Sequence, residues 1–313
     1  MHTRRDFLMA AAFGLAAGAE RGFPLGLASP ASNASQPQLF KIGYQLLSWG
    51  RCYPQALWHG VRDCRRLGYP GIEVEYTVAN LYRGRDSEFT HPMRRNTMQL
   101  AAVYSSTDLH DPAQAYVNRS NNLVAAQFAQ RQGTRVLVLG GFEARERTAV
   151  QFREYARQAN ALGKEILETT GVRIGVHPHY GSLVQDRSAI DRVMEATDPR
   201  YFNLCPDVGH LLAGGMDPVE VIRTYSGRII HVHLKDYLPP SSPGTFGKFL
   251  ELGQGKVDLP GIVRELTGIG FSGWANVELD GAADPAASAL RNRNYITQVL
   301  KVSLDGDSKG ERS

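Results

Sequence analysis

The chain has 313 residues, with 35 basic and 31 acidic side chains and a formal net charge of +4. That balance, with no long basic run after the first residues, excludes nucleic acid as the expected partner. A hydrophobic fraction of 42% and 32 glycines fit a globular protein with a sizeable core, and one α/β barrel can reach this length.

The chain opens with MHTRRDFLMAAAFGLAAGAE, where Arg4-Arg5 and Phe7-Leu8 precede an Ala/Gly/Leu run. This pattern resembles a twin-arginine export signal. Residues 1–37 are therefore expected to be signal peptide and Ala/Ser/Pro-rich linker, and the protein to work in the periplasm. The apolar run is too short and too rich in Ala and Gly for a good membrane span, so no stable membrane anchor is expected after processing. From 38 to 303, short apolar runs alternate with longer helical segments. Strands are predicted at FKIGYQLL, GIEVEY, LAAVYSS, RVLVLGG, VRIGVHPH, YFNLCPD, RIIHVHLKD and GWANVELD. Helices are predicted at YPQALWHGVRDCRRLG, YVNRSNNLVAAQFAQRQG, TAVQFREYARQANALGKEILETTG, VQDRSAIDRVMEAT, DPVEVIRTYSG and DLPGIVRELTGIG, several of them ending in Gly as helix C-termini prefer. Eight β-then-α units predict a single-domain (β/α)8 TIM barrel, an α/β fold, followed by a polar tail over 304–313. Cys52, Cys64 and Cys205 are odd in number and widely spaced, and are read as buried thiols. The stretch DYLPPSSPGTFGKFLELGQG reads as a loop over the site, with Phe246 or Phe249 to exclude water.

In such a barrel the active site lies at the C-terminal ends of the strands. There the sequence places Glu73 and Glu75, then His177 and His179, then Asp207 and His210, then His231, His233, Lys235 and Asp236, and finally Glu278 and Asp280. Residues i and i+2 of an extended chain face one side, so the imidazoles of His177 and His179 would point together. Singly, each group has a plain structural role. A strand-end Asp caps the next helix, a lone strand His is a core residue, Glu73 and Glu75 pair with a loop Arg, and Lys235 pairs with Asp236 on the rim. Together they are costly to bury unless paired or bound to a metal. A divalent cation held by imidazole and carboxylate meets that cost. His59, His91 and His110 fall in predicted helix or loop and are read as surface.

The motifs GIEVE, CPDVGH, HVHLKD, LGQGKVDLPGIV and VELD resemble those of the xylose isomerase-like TIM-barrel superfamily, the sugar phosphate isomerases/epimerases, from about Phe40 to about Val302. The resemblance implies one divalent metal, manganese first, with cobalt, magnesium or zinc as alternatives. It implies Asp207, His233 and Glu278 as ligands. His177 stands where the epimerase branch carries Glu, and is taken as the fourth ligand with His179 as its alternative. His-Pro-His resembles the inosose dehydratase branch and relatives acting on 3-keto sugars.

The implied chemistry is proton abstraction beside a carbonyl, with Glu278, His179 or His210 as base and Lys235 neutralising the developing charge. Glu73, Glu75, Trp49 and Tyr104 are the expected substrate contacts. The leading expectation is a metal-dependent isomerase/epimerase of a keto sugar or polyol. The alternative is a dehydratase or lyase acting by β-elimination on a keto-inositol or 3-keto-glycoside. A non-catalytic sugar-binding barrel and a zinc hydrolase rank lower. A three-metal DNA-repair endonuclease on the same barrel is excluded, because its additional ligands are missing. The partner expected is a small carbohydrate, with homo-oligomerisation left open.

Overall fold

The computed structural model describes residues 37–50, 54–144, 146–242 and 245–305. The predicted signal segment, Cys52 and most of the polar tail lie outside the described residues.

The strands in chain order are β1 (Lys41–Gln45), β2 (Gly71–Glu75), β3 (Gln99–Ser106), β4 (Val136–Gly140), β5 (Arg173–His177), β6 (Phe202–Leu204), β7 (Val232–Leu234), β8 (Asp236–Leu238), β9 (Lys248–Leu250) and β10 (Trp274–Val277). Eight of them pair in parallel in the order β6-β5-β4-β3-β2-β1-β10-β7. The circle closes between β6 and β7 through two bridges, Leu204 with Ile229 and Asp207 with His233, backed by the His233 N–H donating to Pro206 O at 2.9 Å. All eight strands predicted from the sequence are present, and the fold is the expected (β/α)8 barrel. Runs such as VLVLG have four of five residues buried, because a parallel barrel strand is covered on both faces.

The helices are α1 (Pro54–Arg66), α2 (Tyr76–Leu81), α3 (Asp86–Arg95), α4 (Ala115–Arg131), α5 (Ala149–Thr170), α6 (Arg187–Ala196), α7 (Val208–Ala213), α8 (Pro218–Thr224), α9 (Leu259–Gly268) and α10 (Pro285–Asn294). The longest, α5, shows how local sequence sets its ends. Thr148 and Gln151 form a reciprocal capping box at its start, and Gly171 ends it in the left-handed region at φ 68°. Cys64 and Cys205 are buried free thiols, as expected.

The stretch after β7 departs from the expected irregular loop. It forms an antiparallel ribbon in which Asp236 of β8 pairs with Leu250 of β9, and Leu238 with Lys248. Asp236 also gathers the turn that follows. Its Oδ2 accepts from the N–H groups of Gly253 at 2.9 Å and Gly255 at 2.8 Å, and its Oδ1 from Val257 N–H at 3.1 Å. Gly253 sits at φ 86°, and a side chain on Gly255 would collide with the Asp236 carboxylate, which accounts for the G-x-G of this motif.

Candidate metal centre

His177 is the last residue of β5, Asp207 follows β6, His233 is the middle residue of β7 and Glu278 follows β10. All four are buried, and one donor atom from each lies within 4.8 Å of the others. His177 Nε2 is 3.4 Å from Asp207 Oδ2 and 3.7 Å from Glu278 Oε2, and His233 Nδ1 touches Glu278 Oε2. Asp207 splits its two oxygens. Oδ1 caps α7 by accepting the His210 N–H at 2.8 Å, which leaves Oδ2 for the cluster. His177 Nε2, Asp207 Oδ2, His233 Nδ1 and Glu278 Oε2 are all buried without a hydrogen-bond partner, although they lie close together. Two imidazoles and two carboxylates aimed at one point, each with its donor atom unsatisfied, are the ligand chemistry of a divalent transition metal. The residues present fit the group.

His179 lies outside this set. Its Nδ1–H donates to Tyr180 O at 2.8 Å, and its ring sits 3.9 Å from that of His210. Of the two histidines in His-Pro-His, His177 is the one brought into the cluster. Burial, helped by the charges of His177 and Lys235, lowers the His179 pKa to about 4, so the ring is neutral at ordinary pH with a bare Nε2.

A second layer supports the cluster from below. Glu73 is fully buried, and its Oε2 accepts from His233 Nε2 at 3.0 Å and from Asn276 Nδ2 at 3.0 Å, with His231 Nε2 at 2.8 Å. Burial alone would raise the Glu73 pKa, but His233 and His231 outweigh it and bring it to about 2. Expected from the sequence as a substrate contact or the partner of a loop Arg, Glu73 has His233, His231 and Asn276 around its Oε2, and it fixes the imidazole that turns Nδ1 toward the cluster. Glu73, His231 and His233 are also close enough to share an ion, yet His233 Nε2 is already given to Glu73. Asn276 was not singled out from the sequence. It stands two residues before Glu278, so the alternation that pointed to Glu278 pointed to it as well.

Lys235 is not a rim residue paired with Asp236. It is 0% exposed, and its ammonium lies 2.9 Å from Glu278 Oε1, 3.3 Å from Asp207 Oδ2 and 3.2 Å from Asp280 Oδ1. Burial alone would discharge it, but Asp207 and Glu278 hold its pKa well above the ordinary value. Its aliphatic stem runs against Gly209 of CPDVGH, where a Cβ would come within 2.9 Å of the Lys235 Cγ.

His210 faces it at 3.4 Å through Nε2. Burial and the Lys235 charge keep His210 neutral, with a pKa well below its usual value. Its Nδ1 accepts the Tyr180 N–H at 3.2 Å, which fixes the ring with Nε2 directed into the site. Phe249 of β9 closes over both, 4.6 Å from the His210 ring centre and 4.8 Å from the Lys235 ammonium.

Tyr104 stands edge-on to His177 at 5.5 Å and stacks on His233 at 6.3 Å, and its hydroxyl occupies the space a side chain on Gly140 would need. Glu75 ends β2 and is partly buried. Trp49, expected as a substrate contact, is partly buried and tied to the first helix. Its Nε1–H donates to Asp63 Oδ2 on α1 at 3.0 Å, and its ring packs edge-on against Tyr44. His59 and His91 are exposed as expected, whereas His110 is partly buried near Asp108.

A model of the xylose isomerase-like TIM barrel family matches residues 61–298, and the chain belongs to that family. Among curated proteins it is similar to the inosose dehydratase of Clostridium tetani, 32% identical over 170 residues that cover 50% of this chain and 57% of that protein. It is 26% identical to the inosose dehydratase of Clostridium botulinum strain Alaska E43, over 77% of this chain and 89% of the relative. Among solved structures it shares the fold of a xylose isomerase-like barrel from Mycobacterium smegmatis in complex with magnesium, at TM-score 0.68 and 18% identity over 83% of this chain and 96% of that one. It also shares the fold of the zinc-bound IolI protein, at TM-score 0.69 and 15% identity over 84% of this chain and 98% of that one.

Proposed function

We propose that the protein is a metal-dependent enzyme acting on a keto sugar or keto-polyol, and that it eliminates a β-oxygen after removing the proton beside the ketone. The observation that carries this reading is the set of four unsatisfied donor atoms, His177 Nε2, Asp207 Oδ2, His233 Nδ1 and Glu278 Oε2, beside a row of proton-handling groups on one side. Held by these four atoms, a divalent ion, manganese by preference, would supply Lewis-acid polarisation of the ketone.

The chain's own residues do the rest. His179 presents its bare Nε2 as base. Lys235 keeps a fixed positive charge beside the oxygen that becomes negative. His210 directs its Nε2 at the departing oxygen and positions it beside Lys235, and Phe249 excludes water above them. The proton taken by His179 passes to that oxygen, the carbon–oxygen bond breaks, water leaves, and a carbon–carbon double bond forms next to the carbonyl.

The isomerase/epimerase reading shares the first step. It needs proton exchange on a second carbon or a second face. Here His179, His210 and Lys235 form one contiguous row, with ring centres 3.9 Å apart and Nε2 to Nζ at 3.4 Å, which suits removal and return of a proton on one side. The names of the inosose dehydratase relatives support elimination as well.

The test is incubation of manganese-loaded protein with 2-keto-myo-inositol and with hexoses carrying a ring ketone, in D2O. Elimination predicts an ultraviolet band from the conjugated enone, with His179→Ala slower by about 10²–10⁴-fold. Deuterium incorporation without that band would replace elimination by isomerisation or epimerisation. No exchange on any of these ketones would sink the carbon-acid reading.

A further inference from the structure

The end of the barrel opposite the metal centre carries a cavity of about 480 Å³. That lies within the roughly 300–1,000 Å³ of small-molecule sites. Gln99, Val136 and Trp274 on its wall are the first residues of β3, β4 and β10, whereas His177 is the last residue of β5 and Glu278 follows β10. Trp274 and Glu278 are therefore about 13 Å apart along one strand. Three arginines line the cavity, Arg94, Arg131 and Arg135, and among the described residues no carboxylate does. Lys41 stands beside it, donating to Gln99 Oε1 at 3.2 Å and lying 5.4 Å from the Trp274 ring centre. Arg131 is paired through Nε with Asp86 Oδ2 at 2.9 Å. Arg135 gives Nη1 to Thr170 O at 2.7 Å, at the end of α5. Arg94 and Arg131 lie in the last turns of α3 and α4, where basic residues suit the helix dipole. Helix ends explain where these side chains start, but not their gathering with Lys41 around one cavity. The apolar part of the wall includes Met93, Met98 and Trp274. The Trp274 ring packs over Gly71, where a Cβ would come within 2.5 Å of it, so this wall is fixed. Gln132, also in the lining, accepts the Thr90 hydroxyl on Oε1 at 2.7 Å and keeps a buried Nε2 without a partner. A buried amide donor beside three arginines calls for acceptor oxygens from outside the chain.

We propose that this cavity is a second binding site, separate from the metal centre and its reaction, for a small organic dianion: an aromatic ring carrying a phosphate monoester. Phosphate oxygens match the guanidinium forks and the Gln132 amide, and two negative charges answer the surplus of Arg94, Arg135 and Lys41. The ring covers Met93, Met98 and Trp274. A monocarboxylate would leave most of the positive charge unanswered, and free phosphate would leave the apolar wall bare.

The test titrates full-length protein, manganese-loaded and chelator-stripped, with phenyl phosphate, inorganic phosphate and phenol by calorimetry. The site predicts one phenyl phosphate per chain, bound about tenfold more tightly than either fragment and equally in both metal states. Tryptophan fluorescence should change on binding, and Trp274→Phe should abolish the change. Arg94→Gln and Arg135→Gln should each weaken phenyl phosphate about tenfold while leaving manganese affinity at the wild-type value. Affinity that appears only with manganese would put the ligand at the metal centre and overturn the proposal. So would unchanged affinity in both arginine variants, or phenyl phosphate bound no more tightly than inorganic phosphate.

Discussion

Lys235 holds a positive charge inside the barrel against Asp207, Glu278 and Asp280. Removing one partner of a buried ionic group leaves the others uncompensated, at a cost of about 3–5 kcal/mol. Lys235→Met should therefore lower the unfolding temperature of metal-stripped protein strongly, and manganese should recover much of the loss by neutralising the same carboxylates. Thermal melts with chelator and with manganese check this. An unchanged chelated melt would mean the carboxylates take up protons instead.

Glu73→Gln should weaken metal retention about 10–100-fold, the usual effect of losing a ligand's supporting carboxylate. Manganese titration calorimetry measures it, and wild-type affinity would show that packing alone orients His233. Strand-end position gathered the ionisable groups of the site, and the family resemblance singled out Asp207, His233 and Glu278 among them, with His177 as fourth ligand and His179 as its alternative. The sequence did not reveal the partners that Glu73 and Trp49 take inside the fold, for a geometric reason. Alternation along a strand tells which face a residue takes, but not how deep along the barrel axis it lies, nor whether a neighbouring helix captures its polar atom.

The strands were readable as continuous apolar runs. The helices outside the six predicted ones were not. In α2, the six residues YTVANL begin directly after β2 with no side-chain cap, and in α3 Pro92 lies inside the helix where it reads as a stop. For α10 the signals were present in Asp284 and Pro285, a cap followed by proline at the first turn. The ribbon β8–β9 was hidden because its order comes from one carboxylate rather than from a strand-like sequence. Asp236→Asn would turn an amide N–H toward the N–H groups of Gly253 and Gly255, losing part-buried hydrogen bonds to a carboxylate at about 1 kcal/mol. Faster amide exchange over 248–257 is expected, with β2 and β3 unaffected. Uniform exchange across the barrel would show that Asp236 serves global stability rather than this arm.

Across the whole molecule, the barrel is stitched unevenly. Five register pairs join β2 to β3 and five join β4 to β5, whereas β6 and β7, the two ends of the strand order, meet at two bridges. One of those bridges is Asp207 with His233, and both residues turn donor atoms toward the same point. An ion shared by them would act as a clasp on the least-fastened staves, coupling occupancy to barrel closure. Amide exchange over 202–207 and 229–234 should slow on manganese loading far more than over 99–106. Equal slowing everywhere would mean the ion merely stabilises a barrel already shut. If the clasp holds, the ion would be a hoop as well as a Lewis acid, and a chain deprived of it would loosen its circumference in the same step that removes its chemistry.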